Sequence, residues 1–135
     1  MAIKQQHPAI LVVDDNADNA DIIRQYLEAR GYPITVATNG EEALALFETV
    51  KPALVLLDVM MPGRDGWEVC RVMKSHPELG RTVRIIMVTA LNEMEDKREA
   101  LQTGADDYVE KPFDLAALVA TVQRNLAVLR PALAS

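Results

Sequence analysis

Five short apolar runs alternate along the chain with longer stretches whose apolar residues recur at helical spacing. The runs are Ala9 to Val13, Pro33 to Ala37, Ala53 to Leu57, Val83 to Val88 and Asp106 to Val109. Repeated strand–helix alternation with short loops implies a parallel sheet covered by helices on both faces. The first, third and fourth runs are nearly all apolar, as strands buried on both sides must be. The second and fifth are shorter and more polar, which suits the edges of the sheet.

The helical stretches carry their own punctuation. The first is expected from about Ala17 to Arg30, stopping at Gly31, a residue type that readily takes the left-handed conformation ending a helix. The second opens at Asn39-Gly40-Glu41-Glu42, where Asn39 can cap and Glu42 can complete a capping box. The third follows Asp65-Gly66 and ends before Pro77. The fourth spans about Glu93 to Thr103 and stops at Gly104. The fifth follows the cap Asp114, with Leu115, Leu118, Val119, Val122, Leu126 and Leu129 in one stripe.

At 135 residues the chain has the size of one domain, with its core expected over about 9–130 and loosely held ends. No apolar run approaches the ~20 residues of a membrane span, so no membrane contact is expected. No signal pattern opens the chain, and the single cysteine, Cys70, excludes an internal disulfide. A cytoplasmic location is the corresponding expectation. The net charge is −6 with no basic stripe, which gives direct nucleic-acid binding no electrostatic footing.

Ligands of an open parallel sheet bind beyond the carboxyl ends of its strands. Those ends carry Asp14-Asp15, Asp58, Thr89-Ala90 and Glu110-Lys111-Pro112. Taken singly, each has an ordinary reading: an acidic pair caps a helix, a lone Asp makes a turn, a Thr ends a strand, a Lys is solvated. Together they place three carboxylates, a hydroxyl and an amine on one rim. Clustered carboxylates repel unless a cation neutralises them, and Mg²⁺ favours a few carboxylates plus waters and phosphate oxygens. Asp58 ends the central strand alone and is the candidate nucleophile for a phosphoryl group. Lys111 would add positive charge, and Thr89 a hydroxyl donor. The turn after Asp58 runs Met61-Pro62-Gly63-Arg64-Asp65-Gly66.

Other features carry no chemistry. His7 and His76 lack metal-ligand spacing, Cys70 sits among core residues, and no phosphate-binding glycine loop or nucleophile elbow occurs.

The segments Ile10-Leu11-Val12-Val13-Asp14-Asp15-Asn16, Leu56-Leu57-Asp58-Val59-Met60-Met61-Pro62-Gly63, Val88-Thr89-Ala90 and Gly104 to Phe113 resemble the response-regulator receiver family. They fall in that family's order and spacing across almost the whole chain. The resemblance implies a flavodoxin-like (βα)5 doubly wound α/β fold with strand order 2-1-3-4-5. It implies that Asp58 is the phosphoacceptor and that Asp15 binds Mg²⁺ directly. Asp14 would act through water, the backbone carbonyl of Met60 would be a further metal contact, and Mn²⁺ could stand in for Mg²⁺. Lys111 would pair with the phosphoryl group, with a cis peptide before Pro112. Thr89 and Tyr108 would form the switch pair.

The implied donor is a phosphohistidine on a sensor histidine kinase or a histidine phosphotransfer protein, and the implied target is an unidentified downstream protein. No output domain is expected within this chain. It is not expected to be an enzyme beyond its own phosphorylation and dephosphorylation. A haloacid-dehalogenase-like phosphatase would need an acid two residues after Asp58, where Met60 stands. A flavin- or nucleotide-binding module would need a phosphate loop where Asp14-Asp15 would repel phosphate. Two finer expectations follow from the resemblance. Ala117 and Thr121 replace the charged pair through which winged-helix regulators dimerise, so that dimer is not expected. Met60 and Leu91 flank the path of hydrolytic water and should slow dephosphorylation.

Overall fold

The computed structural model describes residues 8–59, 65–89, 102, 104–111 and 113–134, with 130–134 described by backbone alone. Five strands form one sheet: β1 (Ile10–Val13), β2 (Ile34–Ala37), β3 (Leu54–Asp58), β4 (Arg84–Thr89) and β5 (Asp107–Glu110). All neighbouring pairs are parallel, in the order β2-β1-β3-β4-β5. The expected α/β topology and both edge strands are therefore present. The described helices are α1 (Ala17–Glu28), α2 (Gly40–Val50), α3 (Gly66–Lys74) and α4 (Leu115–Ala134), with a short 3-10 turn at Leu79–Arg81. None of the described helices is long and apolar enough to cross a membrane.

Side chains alternate across a strand, so each inner strand feeds two cores. Ile10, Val12, Leu54, Leu56, Ile86 and Val88 point to one face, against Ala20, Ile23 and Leu27 of α1 and Leu118, Val119, Val122 and Leu126 of α4. Leu11, Val13, Val55, Leu57, Ile85 and Met87 point to the other, against Ala43 and Phe47 of α2 and Val69, Cys70 and Met73 of α3. Burying one such aliphatic side chain stabilises the fold by about 1.5–3 kcal/mol. The stripe predicted on the last helix is the one that packs, with Leu115 and Leu129 partly buried at its ends.

The ends of the elements differ from the sequence reading in instructive ways. Strands β3, β4 and β5 each start and finish one residue later than their apolar runs. The ladder, not hydrophobicity, sets these limits: Asp58 is paired with Val88 and Glu110 with Thr89. Helix α1 stops at Glu28, before Arg30, because the Arg30 and Gly31 N–H groups turn back to the carbonyls of Leu27 and Glu28. Gly31 then takes φ 95°, the conformation that ends the turn.

Asn39 caps α2 by accepting the Glu42 N–H at 2.8 Å. Glu42 reaches back one residue further than a capping box requires, accepting the N–H of Thr38 at 2.7 Å. Asp65 caps α3 through Trp67 and Glu68, and Asp114 caps α4 through Ala117. The helix expected from Glu93 to Thr103 lies outside the described residues.

Candidate functional site

Parallel pairing in register lines up the carboxyl ends of the strands. Val13 stands beside Leu57, Asp58 beside Val88, and Thr89 beside Glu110. The residues at and after those ends therefore meet on one rim. Asp14 and Asp15 follow β1, Asp58 is the last residue of β3, Thr89 is the last of β4, and Lys111 follows β5. The Asp14 N–H donates to Ala37 at 3.0 Å, and its carboxylate accepts the Asn16 N–H at 2.9 Å. The Lys111 N–H donates to the Thr89 carbonyl at 2.7 Å, so the ladder itself carries Lys111 to the rim.

The three carboxylates come together as expected. Asp14, Asp15 and Asp58 each offer an oxygen, and these oxygens lie within 4.8 Å of one another. Asp58 is 4% exposed and Asp14 5%, while Asp15 faces solvent. The Lys111 ammonium stands 3.2 Å from Asp58 Oδ2. Burial pushes the Asp14 carboxyl above its ordinary pKa, and the negative charge of Asp58 pushes it further. The Asn16 N–H and Lys111 oppose this without cancelling it. A buried carboxylate beside a second one, with a third open to water, is a donor set that a hard divalent cation fits. Asp14, Asp15 and Asp58 are the described residues that would hold it.

Thr89 is buried on the same rim, and Tyr108 lies on β5 with 37% of its surface exposed. Met60, the Met61–Arg64 part of the turn, Leu91 and Pro112 lie outside the described residues. Gly66, after those residues, donates its N–H to the Val59 carbonyl at 3.2 Å. Ala117 is exposed on α4, whereas Thr121 turns inward and donates its hydroxyl to the Ala117 carbonyl at 3.0 Å.

Two features escaped the sequence reading. A groove of about 570 Å³ is lined by the apolar Ile22, Ile23, Phe113 and Leu115 together with Asp14 and Lys111 of the rim. The exposed Ile22 within the otherwise polar face of α1 was its only signal. The second is a polar chain at the opposite, amino end of the sheet, joining Lys74, Asp106, Arg84, Asn125, Asp107 and Arg124. Asn125, standing beside the apolar stripe of α4, was the sign that a buried partner awaited it.

The geometry agrees with comparison to known proteins. A family model described as the response regulator receiver domain matches residues 10–123. A probable transcriptional regulator, ycf27, of Porphyra purpurea is 45% identical over 124 residues, covering 92% of this chain and 49% of the relative. The counterpart in Pyropia yezoensis matches to the same extent. The chain thus spans about half the length of these curated relatives. Among solved structures, the chemotaxis response regulator CheY4 of Vibrio cholerae superposes with a TM-score of 0.84 at 28% identity, covering 89% of this chain and 99% of that one. The receiver domain of a signal-transduction histidine kinase from Syntrophus aciditrophicus gives 0.84 at 35% identity, covering 91% and 92%. On these matches the chain belongs to the response-regulator receiver domain family of two-component signalling.

Proposed function

We propose that the protein is a phosphoryl-accepting switch. A carboxylate oxygen of Asp58 attacks the phosphorus of a phosphohistidine on a sensor histidine kinase or phosphotransfer protein. An O–P bond forms, the N–P bond breaks, and the imidazole leaves with the electron pair. The observation that carries this reading is the buried Asp58 carboxylate held between two other carboxylates and the Lys111 ammonium.

Each side chain has a task in that step. Asp14 and Asp15, with Asp58, would hold Mg²⁺, which when bound supplies positive charge to the phosphoryl oxygens. Lys111 pairs with Asp58 before transfer and with a phosphoryl oxygen after it. The Thr89 hydroxyl donates to another phosphoryl oxygen, and Tyr108 leaves its half-exposed position to follow Thr89 inward. The groove beside Lys111 gives the donor protein apolar surface next to the acceptor.

The domain works in the cytoplasm and hands its state to a downstream protein. It does not itself touch nucleic acid, in keeping with its net charge of −6. It turns over no external phosphate ester, because Met60 stands where an aspartyl-phosphate phosphatase needs an acid. The test is beryllofluoride, which mimics a phosphoryl group on a carboxylate. Binding that requires both Mg²⁺ and Asp58, with no hydrolysis of p-nitrophenyl phosphate, is expected. Binding that survives Asp58→Asn, or steady ester turnover, would overturn the reading.

A further inference from the structure

Strand β5 is poorly anchored by apolar packing. Among its residues only Val109 is buried; Tyr108 and Glu110 are exposed. It lies at the edge of the sheet and pairs with β4 alone. Yet Lys111, whose ammonium must stand beside Asp58, follows it directly. Something other than the core has to fix this strand.

The polar chain at its amino end does so. The Asp107 carboxylate accepts from Arg124 Nη2 at 2.7 Å, from Asn125 Nδ2 at 2.9 Å and from the Tyr108 N–H at 2.9 Å. Asn125 is 1% exposed, and its amide is used on both sides. Its Nδ2 also donates to the Thr121 carbonyl at 2.9 Å, and its Oδ1 accepts from Arg84 Nη2 at 3.0 Å and Nε at 3.2 Å. Arg84 on β4 also lies 3.3 Å from Asp106, the residue before β5. Asp106 in turn accepts from the Ile85 N–H at 2.7 Å and pairs with Lys74 of α3 at 2.9 Å. Apolar contacts tolerate sliding, whereas a partly buried network centred on the buried Asn125, with no buried side-chain polar atom left unpaired among the described residues, is satisfied in one arrangement.

We propose that Asp107, Asn125 and Arg84 are positioning residues for phosphoryl acceptance: they fix the amino end of β5 and thereby set where Lys111 stands at its other end. The inference rests on the reading of Asp58 as acceptor and Lys111 as its charge partner. The strand between is short and hydrogen-bonded through to the Lys111 N–H, so a shift at Asp107 is carried to the ammonium. A displacement of about 1 Å at a reacting group can cost up to about a hundredfold in rate.

The test is a cycle built on Asn125→Leu and Lys111→Ala. Phosphorylation rate from acetyl phosphate and Mg²⁺ affinity are measured for each single variant and for the double variant, with circular dichroism to confirm folding. Asn125→Leu should slow phosphorylation about fivefold or more. Mg²⁺ affinity should not fall, because the carboxylates that would hold the ion follow β1 and end β3. In the Lys111→Ala background the same substitution should add nothing, since its effect runs through Lys111. Arg84→Met, at a half-exposed position, should repeat the pattern and decides the matter where Asn125→Leu does not fold. Equal slowing with and without Lys111, or an unchanged rate in a folded variant, overturns the positioning role. Those results leave the parent reading intact if the wild type is labelled and Lys111→Ala slows it; a wild type that takes no phosphoryl group sinks both.

Discussion

Gly66 passes so close to Asp58 that a Cβ added there would stand 2.4 Å from the Asp58 carbonyl oxygen and 2.8 Å from Val59 Cα. The start of α3 is thus seated directly on the backbone of the candidate phosphoacceptor. The glycine is required by this approach rather than by an unusual φ, since the positive-φ glycines of the described residues are Gly31 and Gly104.

Gly66→Ala should therefore destabilise the domain, because backbone on backbone cannot yield as a flexible side chain could. Overpacking of this kind costs typically about 1–3 kcal/mol. Urea denaturation of the folded variant should show a lower midpoint with an unchanged slope. An unchanged midpoint would mean that α3 is not seated on Asp58 in solution.

The Asp107 carboxyl gives a pH signature. Burial alone would raise its pKa, but the hydrogen bonds from Arg124, Asn125 and the Tyr108 N–H outweigh burial and hold it below the ordinary carboxylate range. A depressed folded value contributes stability that is fully present above the unfolded pKa of about 3.9 and is lost as pH falls through the folded value. Wild type should then exceed Asp107→Asn in stability most at neutral pH, with the gap narrowing below about pH 4. A gap that stays constant from pH 7 to pH 3 would contradict the ionic character assigned to this group.

The outer face of α4 offers Ala116, Ala117 and Ala120 to solvent, while Thr121 is turned inward onto the Ala117 carbonyl. Nothing charged is available there to pair across a two-fold axis at those positions. Beryllofluoride should leave the protein's mass in light scattering unchanged at micromolar concentration. A tight dimer that forms only with beryllofluoride, and crosslinks through α4, would refute this.

The parallel sheet and the meeting of Asp14, Asp15, Asp58 and Lys111 were legible because they depend on patterns the chain repeats, whereas the strand order followed only from the family resemblance. Apolar runs name the strands, and parallel strands put their carboxyl ends on one side. The limits of β3, β4 and β5 were less legible, because the ladder extends one polar residue past each apolar run, to Asp58, Thr89 and Glu110. The end of α2 was not legible at all: Lys51 adopts φ 52°, ψ 58°, a left-handed cap that sequence leads one to seek at glycine. The network through Asn125 was hidden for another reason. It joins residues as distant as Arg84 and Asn125, and no local pattern records a hydrogen bond across 41 positions.

The central claim is that Asp58 carries the phosphoryl group, and intact-mass spectrometry after incubation with acetyl phosphate and Mg²⁺ tests it most directly. The wild type should gain the mass of one phosphoryl group, lose it on treatment with hydroxylamine, and gain nothing when Mg²⁺ is chelated. Asp58→Asn should gain nothing under any of these conditions. An Asp58→Asn protein labelled as fully as the wild type would contradict the account.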